Sequence, residues 1–406
     1  MSYFSCTLNN GLRIIHEYIE SPVTYCGFAI NAGTRDEMPK ESGMAHLVEH
    51  LIFKGTKHRK AWHILNRMEN VGGDLNAYTT KEETVVYSAF MNQYFGRAVD
   101  LLVDIVFNST FPQDELDKEI EVVIDEIASY KDSPSELIYD EFESQIFAKH
   151  PLGRDILGNP EKLRKYKSED IQRFVTRYYQ PNNMVFFVRG KLSSNRVVNT
   201  ISKFVDNIPF KEVAIIRDVP QLLPIENIVR IKETHQDHVM IGGAAYGMFD
   251  RKRDILFLLN NILGGPGMNS RLNISLREKK GLVYGIDSSI TSYTDAGIFT
   301  VYYGVNPEDL DKSLDLVHKE LKRLREERLT PLKLGMVKKQ LIGQLGVASD
   351  NNESLSLGVA KIFLHKNSCD SFEEMIKRFE TISSSELLEV ANDVFDESRL
   401  SSLIYK

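Results

Sequence analysis

Apolar residues recur at two different periods along this chain, and the changes of period mark its elements. Residues 11–20, 24–32 and 84–90 alternate apolar with polar positions and are rich in β-branched side chains, which predicts strands. Residues 42–53, 61–71, 94–108 and 114–131 place apolar positions three and four apart, which predicts amphipathic helices. Strands followed by runs of helices predict an α+β class. Each sheet is expected to be largely antiparallel, with helices packed mainly on one face.

The pattern occurs twice. Tyr179-Gln180-Pro181-Asn182-Asn183-Met184-Val185-Phe186 is a helix end, a polar turn and an apolar strand, and Phe395-Asp396-Glu397-Ser398-Arg399-Leu400-Ser401-Ser402 repeats it at the end of the second half. Arg97-Ala98-Val99-Asp100-Leu101 and Lys312-Ser313-Leu314-Asp315-Leu316 resemble each other at nearly the same offset. Each is followed by a proline, Pro112 or Pro331, and then by another helix, 114–131 or about 332–347. Pro209, Pro220 and Pro224 punctuate the stretch between the copies, and proline cannot donate to a helix or a central strand. The expectation is two homologous domains, 1–210 and 226–406, joined by a linker at 211–225.

Composition narrows the classes. The chain has 406 residues, 42% apolar and 26% charged, which are ordinary globular values for a chain of two domains. Its net charge of −7 argues against nucleic acid as a partner, because phosphate binding needs a basic face. Cys6, Cys26 and Cys369 are too few and too scattered for a disulfide framework. Residues 1–10 carry no cationic patch and no apolar run, and no stretch reaches the roughly 18 consecutive apolar residues of a membrane span. A cytoplasmic protein with no membrane partner is expected.

The chemistry concentrates in Gly43-Met44-Ala45-His46-Leu47-Val48-Glu49-His50-Leu51. His46 and His50 are four apart, so a helix stands both imidazoles on one face, one turn apart. Two imidazoles so placed can bind one Zn²⁺. Glu49 shares that face and can reach a water in the open coordination position of a catalytic zinc, whose pKa falls to near 7. A carboxylate there can take the water's proton and pass it to a leaving amine. The H-x-x-E-H order is the inverzincin signature. A third ligand must come from elsewhere. The helix 114–131 offers Glu115, Glu119, Glu121, Asp125 and Glu126; Glu119 and Glu126 are seven apart on one face, and spacing alone does not choose between them.

With these residues the chain resembles the pitrilysin, insulysin and mitochondrial processing peptidase family of zinc metallopeptidases, in particular its half-size bacterial members. In that family the third ligand is a Glu at a characteristic distance beyond the second His, and Glu126 stands at that distance from His50. The resemblance implies one zinc per chain, held by His46, His50 and Glu126, with Glu49 as general base and Glu119 orienting a ligand. It implies that Gly72-Gly73-Asp74-Leu75-Asn76-Ala77-Tyr78 leads into an edge strand. Substrate is expected to add as a strand there, touching Gly73, Leu75, Asn76, Ala77 and Tyr78. It also implies that an Arg and a Tyr seven apart, Arg277 and Tyr284, hold the substrate carbonyl and the oxyanion formed from it.

Gly264-Gly265-Pro266-Gly267 invites comparison with a phosphate loop, but no G-K-[ST] follows. The second copy keeps no H-x-x-E-H: Phe257-Leu258-Leu259-Asn260-Asn261 stands at the corresponding helix, and Leu345 stands where Glu126 does. The other histidines, including His235 and His238, show no ligand spacing on a predicted helix. The resemblance implies an endopeptidase acting on peptides or short unfolded polypeptides in a clamshell chamber, as a homodimer or with a related subunit. The alternative it carries is a non-catalytic or partner-dependent subunit of a heterodimeric complex.

Overall fold

The computed structural model describes residues 3–221 and 224–406, and these divide into two compact units. The first comprises Met1–Ala128, Arg154–Arg217 and Ser349–Ser371. Its sheet contains β1 (Phe4–Thr7), β2 (Arg13–Tyr18), β3 (Val23–Ile30), β4 (Asp74–Thr79), β5 (Thr84–Met91) and β6 (Met184–Gly190), in the order β1-β2-β6-β3-β5-β4. β2 and β6 run parallel, and the other pairs are antiparallel. β6, Met-Val-Phe-Phe-Val-Arg-Gly, is buried throughout, as a central strand covered on both faces must be.

One face of this sheet carries the main core. α1 (Met44–Leu51), α2 (Ala61–Glu69), α3 (Phe95–Phe107) and α4 (Gln113–Lys131) all contribute buried apolar residues to it. Phe28 of β3 meets Phe186 and Phe107 edge-on, with centroids 4.7 and 5.5 Å away. The opposite face presents Ile15, Ala29, Val85 and Phe187, and Ala360, Phe363 and Leu364 of the helix Asn352–Lys366 cover it. Arg13 donates to the Phe363 and Leu364 carbonyls, and Tyr87 to Glu353, so polar contacts seat that helix too.

The second unit comprises Ser129–Gly153, Asp218–Ala348 and Phe372–Lys406. Its strands are β7 (Asn227–Arg230), β8 (Asp237–Ala245), β9 (Ile286–Ser292), β10 (Gly297–Val305) and β11 (Ser401–Tyr405), in the order β7-β11-β8-β10-β9. With β1 set aside, this repeats the order of the first sheet, down to one parallel pair, β7 with β11. One face packs on a core of its own helices. The other packs Met240, Ile298, Leu403 and Tyr405 against Ile138 and Phe142 of α5 (Pro134–Ile146).

The units are therefore not contiguous in sequence: each takes one helical segment from the other half of the chain. In the stretch expected as a linker, Leu222 and Leu223 lie outside the described residues. Arg217 lies in the same stretch, with its guanidinium buried against Asp36 at 2.8 Å as part of the first unit. The three cysteines are free, and no helix of the described residues is long and apolar enough to cross a membrane.

Candidate metal centre

The first unit brings His46, His50 and Glu126 together. α1 buries Met44, Ala45, Leu47, Val48 and Leu51 in the core, which turns His46, Glu49 and His50 toward the remaining face. The helix starts at Gly43, whose φ of +80° suits glycine; a Cβ there would lie 2.6 Å from the Leu157 carbonyl oxygen. Its first free amides are satisfied by Glu37, which accepts from Gly43 N at 3.1 Å and Ala45 N at 2.9 Å. Burial raises the Glu37 carboxyl to about 8, although both amides favour the anion.

α4 supplies the carboxylates. Leu116, Ile120, Val123 and Ile127 fix its buried stripe, and Glu119 and Glu126 stand two turns apart beside it. Oε2 of Glu126 lies 3.8 Å from His46 Nε2 and 3.6 Å from His50 Nε2. In a tetrahedral zinc site with bonds of about 2.0–2.1 Å, ligand atoms stand about 3.3 Å apart, so the Glu126 oxygen is within about half an ångström of ligand spacing to each histidine, and the three ligand atoms all lie within 4.8 Å of one another. Burial, reinforced by the charge of His50, pushes His46 down to about 4, so its imidazole is neutral and able to coordinate at neutral pH. The donor set of two imidazole nitrogens and one carboxylate oxygen fits zinc.

Two neighbours complete the arrangement. Oε2 of Glu119 lies 3.2 Å from His50 Nδ1, and its Oε1 takes the Lys54 ammonium at 2.6 Å. Glu49 has its Oε2 buried with no hydrogen-bond partner. Burial raises its pKa, and the nearby Thr79 hydroxyl and His50 charge offset only part of that. Lys54, Thr79 and Glu37 escaped the sequence reading. Lys54 carries a faint signal, four residues after His50 on the helix side; the other two carry none.

β4 is the edge of its sheet and, among the described residues, pairs only with β5. Leu75, Asn76 and Ala77 line a cavity of about 290 Å³ together with Glu49, His50, Phe53 and Leu65. Gly73 lies just before the strand, after the left-handed Gly72 at φ +70°. The Tyr78 side chain packs on the opposite sheet face, with the cluster that includes Phe363.

Arg277 and Tyr284 lie in the second unit, with the guanidinium 5.9 Å from the ring centroid. Tyr284 is 91% exposed. Both line a cavity of about 490 Å³ with His238 and Tyr302, whose Nδ1 and hydroxyl are 2.9 Å apart. At the counterpart of α1, Leu258 and Leu259 are buried, and Leu345 packs against the core. Among the described residues, one other trio has metal-like proximity: Glu82, Glu83 and His365. Arg35 holds Glu82 at 2.7 Å and Lys361 holds Glu83 at 2.5 Å, so fixed cations already occupy these carboxylates and the trio is an ion-pair network.

Residues 13–160 match the family described as insulinase (peptidase family M16), and residues 165–341 match the family described as peptidase M16 inactive domain. A Bacillus subtilis protein named "Uncharacterized zinc protease YmxG" is 31% identical over 98% of this chain and 97% of its own. The chain belongs to peptidase family M16. A Streptomyces coelicolor relative, "Uncharacterized zinc protease SCO5738", is 31% identical, covering 96% of this chain and 86% of its own. In fold, this M16 member matches a protease from Helicobacter pylori with a TM-score of 0.90 at 24% identity, over 100% of this chain and 99% of the other. It matches a peptidase M16 inactive domain from Pseudomonas fluorescens with a TM-score of 0.93 at 18% identity, over 100% and 98%. The half-size M16 membership expected from the H-x-x-E-H segment holds, as does the α+β fold of two like domains.

Proposed function

We propose that the chain is a zinc endopeptidase that cleaves extended peptides, with His46, His50 and Glu126 as ligands and Glu49 as general base. The observation that carries the reading is the approach of both Nε2 atoms to one Glu126 oxygen, with an unpartnered Glu49 oxygen on the same helix as the histidines. Zinc bound there would polarise the scissile carbonyl and acidify a water. Glu49, its pKa raised by burial, would take a proton from a water in the site and return it to the leaving amine. Glu119 holds His50 through Nδ1 and keeps Nε2 turned inward.

The unpaired edge of β4 offers backbone groups to an extended peptide, and the cavity walled by Phe53, Leu65 and Leu75 takes an apolar side chain. Arg277 and Tyr284 are proposed, on the family resemblance, to steady the substrate carbonyl and the oxyanion. A second chain, identical or related, is proposed as the partner. The test is metal analysis and a quenched peptide library on pure protein beside Glu49→Gln. The wild type is expected to hold one zinc and cleave, and the variant to hold zinc and cleave at least ~10²-fold more slowly. A metal-free native protein, or a variant as fast as wild type, defeats the proposal.

A further inference from the structure

The second unit contains a cavity of about 340 Å³ whose chemistry the peptidase reading does not use. Four cationic side chains line it, Arg271, Lys279, Arg323 and Lys333, and one carboxylate, Glu320. Glu320 is engaged: both its oxygens accept from Arg323 Nη1, at 3.1 and 3.3 Å, and Glu327 takes the other side of that guanidinium at 3.1 Å. Lys279 and Lys333 form no ion pair among the described residues.

Arg271 is the unusual member. Its Nη1 is buried and has no hydrogen-bond partner. Burial lowers its pKa, and the charges of Glu320 and Glu327 offset only part of that. A buried N–H without a partner costs free energy of which Glu320 and Glu327 return only part, and the group calls for an explanation such as a ligand or a function. The lining also includes the apolar side chains Ile262, Leu329, Met336 and Val337. At the rim, the amides of Asn269 and Gln340 bond to each other at 2.9 and 3.1 Å, which ties the glycine-rich segment to the helix Pro331–Ala348. Arg271, just after that segment, supplies a cationic side chain to the cavity. The volume lies in the range of small-molecule sites.

We propose that this cavity binds a small organic oxyanion, a carboxylate or a phosphate on an apolar body, with Arg271 as its anchoring cation. The guanidinium presents paired N–H groups that suit either head, the two lysines add charge, and the apolar side chains take the body. The proposal does not depend on the metal site.

Calorimetric titration of the purified full chain with phenyl phosphate, phenylacetate and inorganic phosphate tests it. At least one of the two aromatic anions is expected to bind with a Kd below about 1 mM, and inorganic phosphate at least ~10-fold more weakly, for want of the apolar body. The tighter of the two aromatic anions identifies the head group. Arg271→Met is expected to weaken that anion at least ~10-fold, and Lys333→Met by less. The Tm of Arg271→Met is expected to equal or exceed that of the wild type, because a purely structural arginine would lower it. Absence of binding by both aromatic anions, or equal affinity in Arg271→Met, overturns the proposal.

Discussion

The Nδ1 atom of His50 lies 3.2 Å from Oε2 of Glu119, while the other oxygen of the same carboxylate holds Lys54 at 2.6 Å. Glu119 is thereby fixed from two sides and can fix the imidazole in turn. Glu119→Gln keeps the shape but weakens both contacts. Zinc affinity is expected to fall by about 10–100-fold, as for other partners of metal-bound histidines. Competition with a chelator measures this, and an unchanged affinity removes Glu119 from the site.

Glu37 links the start of α1 to pH. Its folded pKa is raised from the usual 4.5 to about 8, so the native protein holds a proton there that the unfolded chain has already lost. Stability from this group is therefore full below about pH 4.5 and declines as pH rises toward 8. Urea unfolding at pH 5 and pH 8.5 is expected to show that decline in the wild type and less of it in Glu37→Gln. The same decline in both proteins would contradict the assignment.

Arg277→Ala is expected to retain zinc and to lose activity by about 10²–10³-fold, the usual effect of removing one oxyanion donor. Steady-state kinetics on a single peptide, with parallel metal analysis, reads both quantities. An unchanged turnover number excludes the role.

Phe363 belongs to the second half of the sequence but to the core of the first unit, where it is 5% exposed against Ile15, Ala29 and Phe187. Phe363→Ala should cost about 3–5 kcal/mol, the range for large-to-small changes in a core. Denaturation followed at Trp62, the single tryptophan and a member of the first unit, checks it. A loss under about 1 kcal/mol would mean that this helix contributes little to that core.

Much of this was legible from periodicity. The strands expected at 11–20, 24–32 and 84–90 are Arg13–Tyr18, Val23–Ile30 and Thr84–Met91, and the helices at 42–53 and 114–131 are Met44–Leu51 and Gln113–Lys131. The two histidines and Glu126 meet because each sits beside a strong apolar stripe, and stripes orient helices. Less was legible where burial depends on a distant partner. The pattern of α5 and of Asn352–Lys366 marks them as helices, but only the sheets' second faces decide where they pack. Tyr78 shows the same limit: alternation along β4 sends its ring to the face opposite Leu75 and Ala77. Glu37 acts across a loop, and no spacing rule reaches it.

The exchange of helices also bears on how the chain is made. Strands β1–β6 are complete once residue 190 has been synthesised, yet the helix that covers Ile15, Ala29, Val85 and Phe187 ends at Lys366. For the intervening stretch of translation the nascent first sheet carries a bare apolar face, the kind of surface on which growing chains aggregate or recruit chaperones. A gene cut at the midpoint would make that exposure permanent.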